Sequence, residues 1–218
     1  MKFVIIVIFV LLQNLTFAQC LPINTYQNNE DIGLPDGSIY HGKVKNNKFN
    51  DVQGFLNWTN GAAYVGGFKD GLMSGIGKIK FANKSEYKGQ FENGLIHGYG
   101  IMNFVNGNRY EGYFKNDLFD GIGNLKYDNL GGGYYGSFKN DTYHGKGTLY
   151  FDFGDVISFK GNFINGKPKT GILTLANGDI YNGKVDNELF PHGEGEYVFK
   201  NKKFKKGLFE HGVFIKNN

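Results

Sequence analysis

Apolar and polar residues alternate along most of the chain beyond residue 40, in short runs separated by polar turns that carry glycine. In one run Tyr110, Gly112 and Phe114 fall on the same side of an extended backbone, because side chains alternate with a period of two. A turn such as Lys69-Asp70-Gly71 between two runs is typical of a β-hairpin. The pattern predicts hairpins with rings, aliphatic residues and glycines on one face. The polar residues assigned to the other face are Lys88, Gln90, Glu111, Asn162, Asn182 and Lys184.

The hairpins repeat. An aromatic residue, any residue and a glycine recur at intervals of 22 to 25 residues, at Tyr40-Gly42, Tyr64-Gly66, Tyr87-Gly89, Tyr110-Gly112, Tyr134-Gly136, Phe159-Gly161 and Tyr181-Gly183. A second apolar residue, a polar turn and a Gly-x-Gly pair follow in most units, and Phe204 is predicted to open a truncated eighth unit. Such a period indicates a repeat protein whose units stack in series.

Composition supports a packed chain. The 218 residues include 34 glycines, 21 phenylalanines and 14 tyrosines, and this aromatic content argues against intrinsic disorder. A glycine inside a strand costs roughly 0.5–1 kcal/mol relative to alanine. Rings lying over bare backbone on neighbouring strands are expected to offset that cost.

The first 18 residues predict a secretory signal peptide. Met1-Lys2 precedes an apolar run from Phe3 to Leu12, and Ala18 supplies a small residue before the expected cleavage. The apolar run is too short to favour a spanning helix, although a retained anchor stays open. We expect a secreted or extracytoplasmic protein with a short linker at 19–33. Lipoprotein anchoring through Cys20, the single cysteine, is disfavoured by Gln19 before it; pairing of two chains through Cys20 stays open.

One unit reads Tyr87-x-Gly89-x-Phe91-x-x-Gly94-x-x-His97-Gly98-x-Gly100, and it resembles the MORN repeat at every position of that family's pattern. The resemblance implies an all-β fold, an elongated single-layer antiparallel sheet of tandem β-hairpin MORN repeats forming an open repeat array. About seven and a half repeats would cover residues 34–213, with a tail at 214–218. Departures from the pattern are Val44 and Val185 at the second ring position, an irregular first unit, Pro168, and the extra glycines at 131–133.

No motif predicts catalysis or a cofactor. His97, His144 and His192 precede glycine pairs in alternate units, which places them about 20 Å apart by strand spacing, whereas zinc ligands converge at about 2 Å from one ion. The Gly-x-Gly pairs lack the residues of a phosphate-binding loop. We therefore predict a non-enzymatic protein with no metal and no cofactor. The net charge of +4 is too small to indicate nucleic-acid binding.

The resemblance implies a scaffold that binds a protein partner. Peripheral binding of acidic phospholipid, an aromatic glycan-binding surface and a homo-oligomer stay open as alternatives. One candidate interaction face carries the repeat rings, which form only the core under the competing hypothesis: Tyr64, Phe68, Tyr87, Phe91, Tyr110, Phe114, Tyr134 and Phe138. A candidate patch for an anionic partner consists of Lys200, Lys202, Lys203, Lys205 and Lys206, which could instead keep the last strands from pairing with other chains.

Overall fold

The computed structural model describes residues 31–128 and 131–217. They form two compact units divided between Leu118 and Phe119, and each unit is described on its own. The predicted leader, Cys20 and most of the predicted linker lie outside the described residues, as does the last residue of the predicted tail. In the part of the chain that is described, no helix is long and apolar enough to cross a membrane.

The first unit is built from short antiparallel strands that pair with their neighbours in chain order. From β5 to β10 each strand pairs with the next, and β2 pairs with both β1 and β5, while β3 and β4 pair only with each other. The strands are β1 Ile32–Gly33, β2 Ile39–His41, β3 Val44–Lys45, β4 Lys48–Phe49, β5 Asp51–Asn57, β6 Ala63–Lys69, β7 Leu72–Lys80, β8 Glu86–Glu92, β9 Leu95–Asn103 and β10 Arg109–Lys115.

The second unit continues the same scheme, with each strand antiparallel to the next. Its strands are β11 Leu118–Lys126, β12 Gly133–Lys139, β13 Thr142–Tyr150, β14 Val156–Ile164, β15 Lys167–Leu175, β16 Ile180–Val185, β17 Pro191–Val198, β18 Phe204–Glu210 and β19 Val213–Asn217. The predicted all-β fold of tandem hairpins is confirmed.

Two-residue turns close the hairpins inside the repeats. Asp70 and Gly71 connect β6 to β7 with φ of 51° and 91°, and Asn93 and Gly94 connect β8 to β9 with φ of 50° and 83°. Both positions of such a turn need a left-handed backbone, which Asn, Asp and Gly adopt at the lowest cost. The polar turns predicted from sequence therefore have the residues that this geometry demands.

The repeat glycines form a row that runs across each sheet from strand to strand. Gly66 lies opposite Gly54 on one side and Gly77 on the other, and the same pairing recurs in both units. The first unit aligns Gly54, Gly66, Gly77, Gly89, Gly100 and Gly112. The second aligns Gly123, Gly136, Gly147, Gly161, Gly171, Gly183, Gly195 and Gly207.

In most repeats a tyrosine ring occupies the space where the side chains of this row would stand. A Cβ added to Gly77 would lie 2.5 Å from the Tyr64 hydroxyl oxygen, and one on Gly100 would lie 2.5 Å from Cζ of Tyr87. Carbon atoms in contact normally stay about 3.5–4.0 Å apart. Only glycine lets the ring lie flat on the backbone, so the linked positions of glycine and ring have a steric cause.

A further core position faces the second apolar residue of each repeat across the hairpin. It is occupied by Met73, Ile96, Tyr143, Pro168 and Pro191, opposite Phe68, Phe91, Phe138, Phe163 and Val185. Pro168 is thus a buried member of this position rather than a disruption. In the irregular first repeat Phe49 lies opposite Val44 and stacks on Tyr40 with ring centroids 3.8 Å apart.

Candidate interaction surfaces

The eight rings of the candidate face lie in the core. None of them exposes more than 4% of its surface, because each ring is packed edge-to-face against rings of its own or the next repeat. Tyr64, for example, contacts Phe68 with centroids 5.1 Å apart and Phe91 at 5.0 Å. The structure thus corrects the expectation of an accessible ring surface and favours the competing hypothesis. The buried rings are Tyr64, Phe68, Tyr87, Phe91, Tyr110, Phe114, Tyr134 and Phe138. We call this side of each sheet the ring face.

The repeat tyrosines also complete the backbone hydrogen bonding. Residues such as Gly67 and Gln90 lie at β-bulges, where the partner strand advances four residues against two and the pairing register shifts by two residues. The Tyr64 hydroxyl donates to the Gly67 carbonyl at 3.0 Å, and the Tyr87 hydroxyl donates to that of Gln90 at 2.9 Å. The same bond recurs from Tyr40, Tyr110, Tyr134 and Tyr181, whereas the sixth repeat has Phe159 in this position.

These hydroxyls are not poised for acid–base chemistry. Burial raises the pKa of Tyr64 and Tyr134 far above the usual tyrosine range, and burial is also the main reason that the pKa of Tyr87 rises. The pKa of Tyr181 is raised to about 12, again by burial. A phenol in such a place stays protonated and donates a hydrogen bond. Its role here is structural.

The opposite side of the first unit, which we call the outer face, presents the accessible rings. Tyr99 and Tyr113 are 44% and 51% exposed, lie directly opposite each other on β9 and β10, and pack edge-to-face at 5.5 Å. The Tyr99 hydroxyl donates to Oε1 of Glu111 at 2.8 Å, while Arg109 binds Oε2 of the same carboxylate at 2.8 Å. The Tyr99 backbone N–H donates to Oε1 of Gln90 at 2.7 Å.

The pair therefore sits on a rigid support. The hydrogen bond to Glu111 is the largest cause that raises the pKa of Tyr99, so this phenol also remains neutral. Other exposed apolar residues on the outer face of this unit are Phe55, Val65 and Ile76. An exposed set of rings and aliphatic side chains is a feature that marks interaction sites.

In the second unit the outer face combines apolar and basic residues. Ile180, Val198 and Phe204 lie side by side on three consecutive strands, since Val198 is paired with Ile180 on one side and Phe204 on the other. Phe204 is 64% exposed. Other exposed apolar residues on this face are Ile122, Tyr135 and Ile172.

The register of the eighth unit differs from the prediction. Gly207 lies opposite Gly195 and Lys205 opposite Tyr197, so Lys205 occupies the position that tyrosine holds in other repeats. Its ammonium group lies 5.9 Å from the Phe199 ring and 5.4 Å from the Phe214 ring, within reach of cation–π attraction. Phe204, expected in the ring position, instead projects to the outer face.

The five lysines are all exposed, but they do not all lie on one face of the sheet. Lys205 is on the ring face and Lys206 on the outer face, while Lys200, Lys202 and Lys203 belong to the β17–β18 loop. The alternative that they protect a strand edge does not fit, because β18 is paired on both sides. Lysines protect an edge only when they stand on the unpaired strand.

A buried carboxylate binds the lysine-bearing loop through its backbone. Asp179 accepts the Lys200 backbone N–H at 2.8 Å and the Tyr197 hydroxyl at 2.9 Å, and Asn177 donates to it at 2.8 Å. These bonds lower the pKa of Asp179, with the bond from Lys200 as the largest cause. Asn201 accepts the Lys203 backbone N–H at 3.0 Å within the loop.

The histidines do not converge. His97 lies 3.4 Å from Glu92, His192 is exposed, and Nδ1 of His144 is buried without a hydrogen-bond partner among the described residues. Within residues 31–128 and 131–217, no three His, Cys, Asp or Glu side chains are grouped so that they could hold a metal ion. His211 pairs with Asp186 at 2.7 Å, an interaction that the sequence pattern did not indicate.

Tyr99, Tyr113 and the outward position of Phe204 were not predicted as surface candidates from the sequence. The alternation already contained the signal for the two tyrosines, because both are an odd number of residues away from the repeat glycines. Rings at such positions point away from the core. Phe204 was missed because it was aligned with the tyrosines, although Gly207 follows it by three residues rather than two.

Comparison with known protein families identifies MORN repeats in the chain. The MORN repeat family model matches residues 64–86, 87–109, 110–131, 134–156 and 190–203. These ranges leave out the irregular first repeat and residues 157–189, which contain Phe159 and Pro168. No curated protein sequence matches significantly.

Among solved structures, the chain is similar to the TCP domain of SAS-4 (dCPAP) of Drosophila melanogaster in complex with a proline-rich motif of Ana2 (dSTIL). The two share 12% identity, with a TM-score of 0.30 over 82% of this chain and 83% of that chain. A likeness of this strength assigns no function.

Proposed function

The chain is a MORN-repeat protein, and from that premise we propose that it is a non-catalytic, secreted or envelope-associated scaffold that binds a protein partner. MORN repeats generally serve as modules for interaction with proteins or membranes, and the family is typically non-catalytic. The proposal of a secreted location rests on the sequence of residues 1–18.

The observation that carries the proposal is the contrast between the two faces of the first unit. The ring face is closed by its own packing, whereas the outer face exposes Tyr99 and Tyr113 on a support of hydrogen bonds. Tyrosine is enriched where proteins bind one another, because it offers a large contact area with few rotatable bonds. A rigid anchor also loses little conformational entropy on binding.

Affinity capture tests this assignment. The full chain is used as bait in extracts from its native envelope or medium, beside a Tyr99→Ser/Tyr113→Ser variant and a Lys139→Glu control on another exposed position. We expect a protein that is retained by the wild type and the control and lost from the double variant. Equal retention by all three baits would contradict the outer-face assignment.

The same full chain also tests whether the outer face binds a glycan instead of a protein. Screening on a glycan array is expected to give no binding that depends on Tyr99 and Tyr113. Binding of a sugar that both substitutions abolish would replace the protein partner with a glycan.

The location is tested separately. We expect the mature protein to begin at Gln19, which N-terminal sequencing of material from the native source would show. A mature chain that still begins at Met1 would contradict cleavage of the leader.

Peripheral binding to anionic membranes is a second candidate function, favoured by the exposure of all five lysines between 200 and 206. A lysine near an anionic surface contributes about 1 kcal/mol. Sedimentation with anionic vesicles at low and high salt tests it, and the absence of vesicle binding at low salt would exclude it.

A further inference from the structure

We infer that the outer face of the second unit contains a docking site for an acidic protein segment that carries an aromatic or aliphatic side chain. The site, which we call the Phe204 patch, consists of an apolar row and a basic border. Its residues are Ile180, Val198, Phe204, Lys200, Lys202, Lys203 and Lys206. This inference rests on the proposed function as a protein-binding scaffold and names the chemistry of a partner.

An apolar row crosses three neighbouring strands of the Phe204 patch. Ile180, Val198 and Phe204 stand on neighbouring strands, which lie about 4.8 Å apart. The row does not belong to the core, because the rings that fill the core lie on the opposite face of the same strands. Exposed phenylalanine beside exposed isoleucine is a surface that loses unfavourable contact with water when a partner covers it.

Four lysines form the basic border of the Phe204 patch. Lys206 lies two residues beyond Phe204 on β18 and therefore on the same face, and the β17–β18 loop brings Lys200, Lys202 and Lys203 to one end of the row. None of these four lysines has an ion pair with a described carboxylate. Lys200 also attracts the Asp179 carboxylate and Lys206 faces Glu196, while the charges of Lys202 and Lys203 are available to a partner of opposite sign.

Preorganisation favours a protein segment over a lipid surface. The Asp179 carboxylate accepts the Lys200 backbone N–H, and the Phe199 backbone N–H donates to the Lys203 carbonyl at 2.8 Å. A loop backbone bound in this way limits where its lysines can stand, which favours a partner of matching geometry, whereas a mobile lipid surface needs only a cluster of basic residues.

Two glutamates near the patch also favour a protein segment over an anionic membrane. Glu196 lies opposite Lys206, and Glu194 lies opposite Leu208 on the same face. A membrane plane laid on the patch would approach both carboxylates, which repel an anionic surface. A narrow chain segment can lie along the row and the loop without covering them.

Polymer binding to the full chain tests the inference. The probes are a random copolymer of glutamate and tyrosine, polyglutamate of the same length, and vesicles of phosphatidylcholine with phosphatidylserine. Because the copolymer presents acidic residues and rings in many local orders, it does not depend on knowing the partner's sequence. We expect the copolymer to bind at least about tenfold more tightly than polyglutamate.

Two variants separate the apolar and basic parts. Phe204→Thr keeps a residue that favours strands and is expected to remove the preference for the copolymer. Lys202→Glu/Lys203→Glu is expected to weaken binding of both polymers by at least about tenfold. The charge-matched control Lys139→Glu/Lys146→Glu, on exposed positions of β12 and β13, is expected to bind as the wild type does. Circular dichroism melts verify that each variant is folded.

Three results would overturn the inference. These are equal binding of the two polymers by the wild type, unchanged copolymer binding by both patch variants, and binding of the vesicles without binding of the copolymer. The last result would assign the patch to a membrane. A negative polymer result does not affect the capture experiment, because Tyr99 and Tyr113 belong to the other unit. Conversely, if no protein is captured through Tyr99 and Tyr113, the polymer experiment still tests the Phe204 patch.

Discussion

Replacing Gly77 by alanine should expose the steric reason for the glycine row. Gly77 lies opposite Gly66 and Gly89, and the ring of Tyr64, which is fully buried, covers it. The new Cβ would stand 2.5 Å from both the hydroxyl oxygen and Cε2 of Tyr64. Since contacting carbons need about 3.5–4.0 Å, the ring must move by about 1 Å.

The magnitude follows from three contributions to the free energy of unfolding. Displacing a packed ring costs about 1–3 kcal/mol. If the Tyr64 hydroxyl leaves the Gly67 carbonyl, which it binds at 3.0 Å, an unsatisfied buried acceptor costs about 1–3 kcal/mol. Alanine recovers roughly 0.5–1 kcal/mol relative to glycine inside a strand. We therefore expect Gly77→Ala to destabilise the protein by about 1–5 kcal/mol.

Gly33→Ala is the matched control. Gly33 is also a strand glycine, but nothing lies within 4 Å of the Cβ that alanine would add. We expect this variant to be unchanged or more stable by up to about 1 kcal/mol. Urea unfolding followed by circular dichroism and by the fluorescence of Trp58, which lies in the same unit, measures both variants.

A double-mutant cycle with Tyr64→Phe tests the hydrogen-bond contribution. The phenylalanine background has already lost the bond to Gly67, so Gly77→Ala should cost about 1 kcal/mol less there. The steric reasoning would be refuted if Gly77→Ala were as stable as Gly33→Ala. Strict additivity in the cycle would refute the coupling through the hydroxyl.

Three further substitutions test other contacts. Tyr87→Phe removes the donor to the Gln90 carbonyl and should cost about 1–3 kcal/mol in urea unfolding; an unchanged midpoint would contradict this role. Burial raises the pKa of Asp117, so the folded state holds its proton more tightly, and this contribution to stability is lost as the pH rises above about 4. Asp117→Asn should therefore gain stability relative to the wild type as the pH rises above about 4, measured by thermal melts; a difference independent of pH would count against it. Lys205→Tyr should restore a ring opposite Tyr197 and add about 0.5–1.5 kcal/mol, whereas a lower melting temperature would show that the lysine is preferred there.

The local pattern of this chain was sufficient to predict strands, turns and their repetition. Period-two alternation, the spacing of Tyr-x-Gly units and turns such as Asp70-Gly71 are properties of neighbouring residues, and the structure has strands and left-handed turn positions where they were expected. Local rules succeed here because each hairpin satisfies its own backbone hydrogen bonds and each repeat demands the same residues. The glycine and ring positions were linked in the sequence for the same reason.

Only the tertiary structure decided which surface is open and which residue fills each position. The sequence could not show that rings of adjacent repeats bury one another almost completely, because burial depends on how strands are placed beside each other. The pairing of Gly207 with Gly195 sets the register of β18, so Phe204 projects to the outer face and Lys205 to the ring face. Strand register also made Pro168 a core residue opposite Phe163. Repetition along the chain predicts a fold, whereas exposure, which determines where a partner can bind, is set by contacts between strands.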